Sequence, residues 1–240
     1  MSETVETKQI EVGMLLYPGL TLLDLLGPQT VLSEHARIHL VWKNRDMIRT
    51  DTGIGIEPSA TFLECPKDLD VLFVPGGLGM IAAMKDREVL SFLADRGARA
   101  KYVTSVCTGS VILAAAGLLH GYRATSHWAA VEVLPLFGAE VTDGRVVTDR
   151  NRITGGGVTA GIDFGLVLLA KLRGENVAKM TQLMLEYDPQ PPFDAGSPKA
   201  AGAELKQQFL GMMEPVNFEM RQIAAEWQRN ADKELVERNR

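Results

Sequence analysis

Cysteine is scarce in this chain: its 240 residues contain two, Cys65 and Cys107, far apart and in unlike settings. A secreted disulfide framework needs more, and neither has a neighbour for a C-x-x-C motif. The four histidines, His35, His39, His120 and His127, share no metal-ligand spacing with either cysteine, so no metal site is expected. Positive charge is short as well. Lys plus Arg number 25 against 30 Asp plus Glu, a formal charge of -5, which argues against nucleic acid as a partner. No apolar run approaches membrane-spanning length: Val111 to Leu119 is short, and Asp163 interrupts the later one. Residues Met1 to Glu6 are polar and acidic, and no signal peptide is expected in them. The expectation is a cytoplasmic protein with no membrane partner. Phosphate-cradling motifs are missing too. Neither Gly76-Gly77 nor Gly155-Gly156-Gly157 fits G-x-x-x-x-G-K-S/T or G-x-G-x-x-G, which argues against a nucleotide.

What is present suffices for a packed core, with 46% hydrophobic and 23% charged residues. Apolar runs at Ile10–Tyr17, Ile38–Trp42, Asp70–Val74 and Tyr102–Val106 read as buried strands, several stopped by Pro-Gly or Gly-Gly. Helical patterns fall at about Gln29–Glu34, Val89–Arg96, Ser110–Leu119, Thr159–Arg173 and Glu175–Tyr187, and Val146–Thr154 reads as a hairpin across Asp149-Arg150-Asn151. Thr50–Thr61 suggests short strands or an irregular excursion, with weaker strand signals at Arg123–Thr125 and Ala139–Thr142. Continuous apolar strands alternating with helices predict an α/β fold, a doubly wound, mostly parallel sheet with helices on both faces. Its site is expected at the carboxyl ends of the strands, in the turns after Val74, Val106 and Thr154. Residues 8–187 are assigned to this domain. Residues 188–240 form a Pro-rich arm, DPQPPFDAGSP, and a helical extension over Ala200–Asn230. Phe209, Met212, Met213, Phe218, Ile223 and Trp227 are the extension's candidate burial positions.

Cys107 is the main candidate for chemistry. It stands directly after an apolar strand and directly before a small-residue helix, where a side chain is pushed outward and the backbone is often strained. The helix start offers free amides and a positive dipole end, both of which favour a thiolate and can hold developing negative charge. Position alone leaves a catalytic thiol and a small buried hydrophobe both open. Cys65, flanked by Glu64 and Pro66, reads as structural. Asp24 is a lone acid in an apolar run, LLDLLGP. It either caps a helix or faces the site, where a thiolate neighbour and desolvation would raise its pKa and make it a proton donor. Thr108 puts a hydroxyl next to the thiol. Gly76, Gly77 and Gly156 allow close backbone approach to a small ligand. His127 reads more readily as a packed, hydrogen-bonded histidine than as a base.

These pieces resemble the ThiJ/PfpI superfamily, the class I glutamine-amidotransferase-like fold. The resemblance rests on LLYPGLTLLDLLGP (Leu15–Pro28), DVLFVPGG (Asp70–Gly77), SVCTGSVILAAAGLL (Ser105–Leu119), RATSHW (Arg123–Trp128) and RITGGGVTAGIDFGLVLL (Arg152–Leu169). Within the superfamily the chain is most similar to isonitrile hydratases and to the amidase-like domains of AraC-type regulators. The residues after Pro189 are too few and insufficiently basic for those regulators' helix-turn-helix pair. Thr108 stands where protease-like members carry His, and Asp24 where they usually carry Glu. Both departures point toward isonitrile hydratase. The resemblance implies a flavodoxin-like fold, a homodimer, and a small-molecule isonitrile substrate converted with water to the N-substituted formamide, without a cofactor. Cys107 is the implied nucleophile through a thioimidate, Asp24 the acid and Thr108 a positioning group. Amides around Gly77 and Thr108 are the implied charge stabilisers, with Gly76, Gly156 and His127 also at the substrate. Two other readings stay open: a glyoxalase or deglycase acting on small α-oxoaldehydes, and a cysteine-based oxidative-stress sensor without turnover.

Overall fold

The computed structural model describes residues 9–238, with side chains through residue 229. The acidic segment Met1–Glu6 and position 8, where the α/β segment was expected to begin, lie outside the described residues. The chain opens with β1 (Glu11–Leu15), α1 (Leu22–Leu32) and β2 (Arg37–Trp42). An excursion follows with β3 (Ile48–Arg49), β4 (Gly55–Ile56) and β5 (Ala60–Thr61). Next come β6 (Val71–Val74), α2 (Met80–Lys85), α3 (Arg87–Gly97), β7 (Tyr102–Val106) and α4 (Gly109–Ala115). The remainder is β8 (Arg123–Ala124), a 3-10 helix at Val131–Phe137, β9 (Glu140–Val141), β10 (Val146–Asp149), β11 (Arg152–Gly155), α5 (Ala160–Arg173), α6 (Glu175–Met184) and α7 (Gly202–Arg238).

Seven strands form one sheet in the order β10-β11-β7-β6-β1-β2-β5, parallel throughout except for the β10–β11 hairpin. β6 and β11 are buried at every position, as strands covered on both faces must be. One group of helices, α1, α5 and α6, packs together, while α2, α3, α4, the 3-10 helix and α7 form the other layer. The α/β, doubly wound reading and the C-terminal helix are therefore both seen. β1, β6 and β7 lie at the centre, so their carboxyl ends converge on one point.

Helix α1 departs from the sequence expectation. It begins at Leu22 rather than near Gln29 and carries Gly27 and Pro28 inside it. Pro28 removes one helical N–H, normally a helix-ending feature. Packing overrides that preference: Gly27 and Pro28 lie against Gly161, and Val31 against Gly165, so small residues bring α1 and α5 into close contact. The consequence for the site is that Asp24 sits in a helical first turn. The short helix α2 and the 3-10 helix carry no clear periodicity and escaped the sequence reading.

Between α6 and α7 the chain is irregular, as the prolines of the arm required. Helix α7 then packs on α2 and the 3-10 helix. Of the expected burial positions, Ile223 is buried and Phe209, Met213 and Trp227 are partly buried. Met212 and Phe218 are exposed instead, and the face is completed by Met220 and Ala224. Phe209 in the early turns lies against the rings of His127 and Trp128, while Leu205 and Met212 beside it stay exposed. No described helix is long and apolar enough to cross a membrane.

Candidate active site

Cys107 follows β7 directly and precedes α4 by one residue. Its φ is 56°, in the left-handed region that a side chain with Cβ normally avoids at a cost of about 1–3 kcal/mol. The strain persists because both backbone groups are pinned. The Cys107 N–H donates to the carbonyls of Gly155 (3.1 Å) and Gly156 (2.8 Å). Its carbonyl accepts from the hydroxyls of Ser126 (3.0 Å) and Ser110 (3.2 Å). Ser110 and Ser126 lie in the SVCTGS and RATSHW segments, but their sequence positions do not reveal this role; the fold brings both hydroxyls to the Cys107 carbonyl.

Asp24 is fully buried and meets the elbow from α1. Its Oδ2 accepts the Gly76 N–H at 2.9 Å, while the Thr21 N–H donates to the Gly76 carbonyl at 2.8 Å. Asp24 does not cap α1: Asp51 does that work, its Oδ1 accepting the Leu22 N–H at 3.0 Å. The other oxygen, Oδ1, is buried without a hydrogen-bond partner of ordinary geometry. Burial pushes the Asp24 carboxyl up to about 7, partly opposed by the Gly76 N–H and the Cys107 thiol, with the Asp51 charge adding to the rise. A carboxyl poised near neutrality can hold or release a proton at little cost. Tyr17 closes the floor of this region. Its buried hydroxyl donates to the Pro75 carbonyl at 2.9 Å, and burial with the Asp24 and Cys107 charges holds it protonated.

The thiol corrects one expectation. Burial, followed by the Asp24 charge, holds Cys107 well above the ordinary thiol range despite the helix start behind it. Desolvation outweighs the amides and dipole of a helix only seven residues long. Thr108 opposes the rise through its N–H and its hydroxyl, both acting on the sulfur. The resting group is a thiol beside an acid of pKa about 7.

Gly76, Gly77 and Gly156 are structural seats rather than free donors. The Gly76 N–H is taken by Asp24, the Gly77 N–H donates to Thr108 Oγ1 at 3.0 Å, and the Gly156 N–H donates to the Arg145 carbonyl at 2.9 Å. A Cβ at Gly76 would stand 2.6 Å from the Thr108 amide nitrogen and 2.8 Å from both Asp24 Oδ2 and Cys107 Cβ. The amide aimed at the sulfur is that of Thr108. His127 is half-buried, with Nδ1 accepting the Ala129 N–H at 3.2 Å and its ring 5.8 Å from those of Trp128 and Phe209. Burial lowers its pKa below the ordinary imidazole value. Cys65 is buried away from this cluster against the Pro66 carbonyl and Arg96. Among the described residues, no three His, Cys, Asp or Glu side chains gather as a metal site.

Residues 11–171 match the DJ-1/PfpI family. The chain is 50% identical over 194 residues to the isonitrile hydratase of Pseudomonas putida, an alignment covering 80% of this chain and 85% of that protein. It is 29% identical over 187 residues to the HTH-type transcriptional regulator GbdR of Pseudomonas aeruginosa, covering 74% of this chain and half of the regulator. The crystal structure of a ThiJ/PfpI family protein from Pseudomonas syringae superimposes with a TM-score of 0.88 at 50% identity, covering 93% of this chain and 96% of that one.

Proposed function

This chain belongs to the DJ-1/PfpI family, and we propose that within it the protein hydrates isonitriles to N-substituted formamides with Cys107 as nucleophile. The observation that carries the reading is the pairing of a strained, thiol-bearing elbow with a buried carboxyl of pKa about 7. The 50% identity to an isonitrile hydratase, with Asp24 and Cys107-Thr108 in the pattern noted above, supports it.

An isonitrile, R–N≡C, presents a terminal carbon that must gain one nucleophile and one proton. Ionised Asp24 takes the thiol proton as sulfur forms its bond to that carbon. The same carboxyl then delivers the proton to the carbon, leaving the thioimidate R–N=CH–S–Cys107. Water adds to the carbon, Asp24 accepting one of its protons and passing a proton to nitrogen. The C–S bond then breaks, the hydroxyl proton returns through Asp24 to sulfur, and R–NH–CHO leaves with the thiol restored. The sum is isonitrile plus water to formamide, with no electrons gained or lost. Thr108 steadies the sulfur throughout with its N–H and hydroxyl. A carboxyl far below neutrality would be a poor donor, and one far above it a poor acceptor.

The reading includes a homodimer, supported by Leu23 and Leu26, which are 46% and 40% exposed on the helix that carries Asp24. It also includes a cytoplasmic location, where both cysteines remain thiols. The test is formamide production from an aromatic isonitrile by the wild type and by Cys107→Ala. Repeated turnover that vanishes in the variant, with circular dichroism unchanged, is expected. Full activity in the variant refutes the nucleophile, and no turnover by fully reduced wild type refutes the reaction.

A further inference from the structure

Asn217 lies in the middle of α7, 7% exposed, one turn before Met220 and two before Ala224 on the helix's buried side. Met220, Ile223 and Ala224 fill that side with apolar atoms. An apolar residue at 217 would pack as well without stripping an amide of its water. The amide recovers only half of what it loses: Nδ2 donates to the Ala129 carbonyl at 2.9 Å, while Oδ1 is buried without a partner among the described residues. A buried unpaired acceptor is costly, so packing alone does not account for Asn217. Its bond ends on the turn that holds the nucleophile's backbone. At one end of this turn the Thr125 N–H donates to Thr154 Oγ1 of β11 at 2.9 Å. At the other, the Ala129 and Ala130 N–H groups close onto His127, on Nδ1 at 3.2 Å and on the carbonyl at 2.9 Å. Asn217 ties that second end to α7. Ser126 sits between the two ends, buried, with its hydroxyl on the Cys107 carbonyl.

We infer that Asn217 is a positioning residue for Cys107, fixing from α7 the turn whose Ser126 hydroxyl orients the peptide between Cys107 and Thr108. The inference rests on Cys107 as the nucleophile proposed above, and not on the identity of its substrate. That peptide is a rigid plane, with the Cys107 carbonyl on one edge and the Thr108 N–H on the other. The hydroxyls on the carbonyl therefore aim the amide that acts on the sulfur. The Cys107 N–H is held separately, by Gly155 and Gly156, so the elbow persists when the carbonyl is released. What changes is the tilt of the plane, toward relief of the left-handed φ of 56°. The Thr108 N–H then swings off the sulfur, and the attacking thiolate loses a donor. Ser110, in the first turn of α4, still holds the carbonyl at 3.2 Å, so the loss is partial.

The test measures, per folded molecule, kcat and KM for an aromatic isonitrile and the rate at which iodoacetamide alkylates Cys107, read by mass spectrometry on the peptide that contains it. Asn217→Leu keeps the packing volume and removes the donor; Asn217→Ala takes its place if leucine does not fit. Either should lower kcat and the alkylation rate roughly 5- to 10-fold, the effect of one hydrogen bond, with KM within about twofold. Ser126→Ala should do the same. Adding Asn217→Leu to it should lower either rate by less than about twofold further, because both act through one path. The alkylation arm needs no turnover, so it decides the inference even where an inactive wild type has refuted the hydratase reading. A stability change with kcat and alkylation both at wild-type values would make Asn217 an anchor for α7 alone and overturn the inference. Faster alkylation, or losses that multiply in the double variant, would overturn it as well.

Discussion

Replacing Asp24 by Asn separates what the carboxyl does for catalysis from what it costs the fold. The carboxyl titrates at 3.8 in an ordinary setting and at about 7 here, chiefly because it is buried. A raised folded-state pKa means that the native state holds its proton where the unfolded chain has lost it. Stability from this group therefore falls as pH rises from 3.8 through about 7 and then stays low. A gap of about 3 units at about 1.4 kcal/mol each puts the cost near 4 kcal/mol above neutrality. At about pH 5 the same gap is only partly expressed, about 2 kcal/mol. The amide keeps an acceptor for the Gly76 N–H and never ionises. Asp24→Asn should therefore gain about 2–3 kcal/mol on wild type between about pH 5 and pH 8 while losing turnover. Other titrating groups largely cancel in that difference, and Cys107 and Tyr17 stay protonated across the range. Urea unfolding of both proteins at the two pH values measures it. A gain that is the same at both, or a variant less stable at the higher pH, would refute the account of the buried carboxyl.

Other consequences follow from the same geometry. In Asp24→Asn the thiol loses the neighbouring charge that is its second-largest burden, so its ultraviolet thiolate absorbance should rise at lower pH than in the wild type; an unchanged titration contradicts the pairing. Gly76→Ala forces a Cβ onto the Thr108 amide, Asp24 and Cys107, which should cost about 1–3 kcal/mol and most of the activity. Wild-type stability and rate in that variant would mean the backbone there yields freely. Cys65→Ser buries a hydroxyl and should destabilise by about 1–3 kcal/mol, yet formamide production at a permissive temperature should persist. Loss of turnover with the fold intact would show that the second cysteine matters to the reaction.

Much of this was legible along the chain because the deciding signals are local. Continuous apolar runs ending in glycine or proline report strands buried on both faces, and the parallel sheet follows from their alternation with helices. Cys107 announces itself by standing where a strand must turn into a helix. Asp24 does so by being charged where its neighbours are not. Other features belong to contacts between segments far apart in sequence. Whether Gly27-Pro28 ends a helix or sits inside one depends on Gly161 and Gly165 on the opposing helix. Which acid caps α1 and which faces the thiol depends on Asp51, which an irregular excursion brings back to Leu22.

The protonation states show the same division most sharply. Sequence alone determined the cast: a cysteine at an elbow, an acid in an apolar run, a threonine beside the thiol. From the helix start it favoured a thiolate, since dipole and amides are local features. Only the tertiary structure decided the balance, because desolvation is set by everything packed around a group. Around Cys107 and Asp24 that packing is nearly complete, leaving them 6% and 0% exposed. Enclosure lifts both pKa values, that of Asp24 to about 7 and that of Cys107 well above the ordinary thiol range.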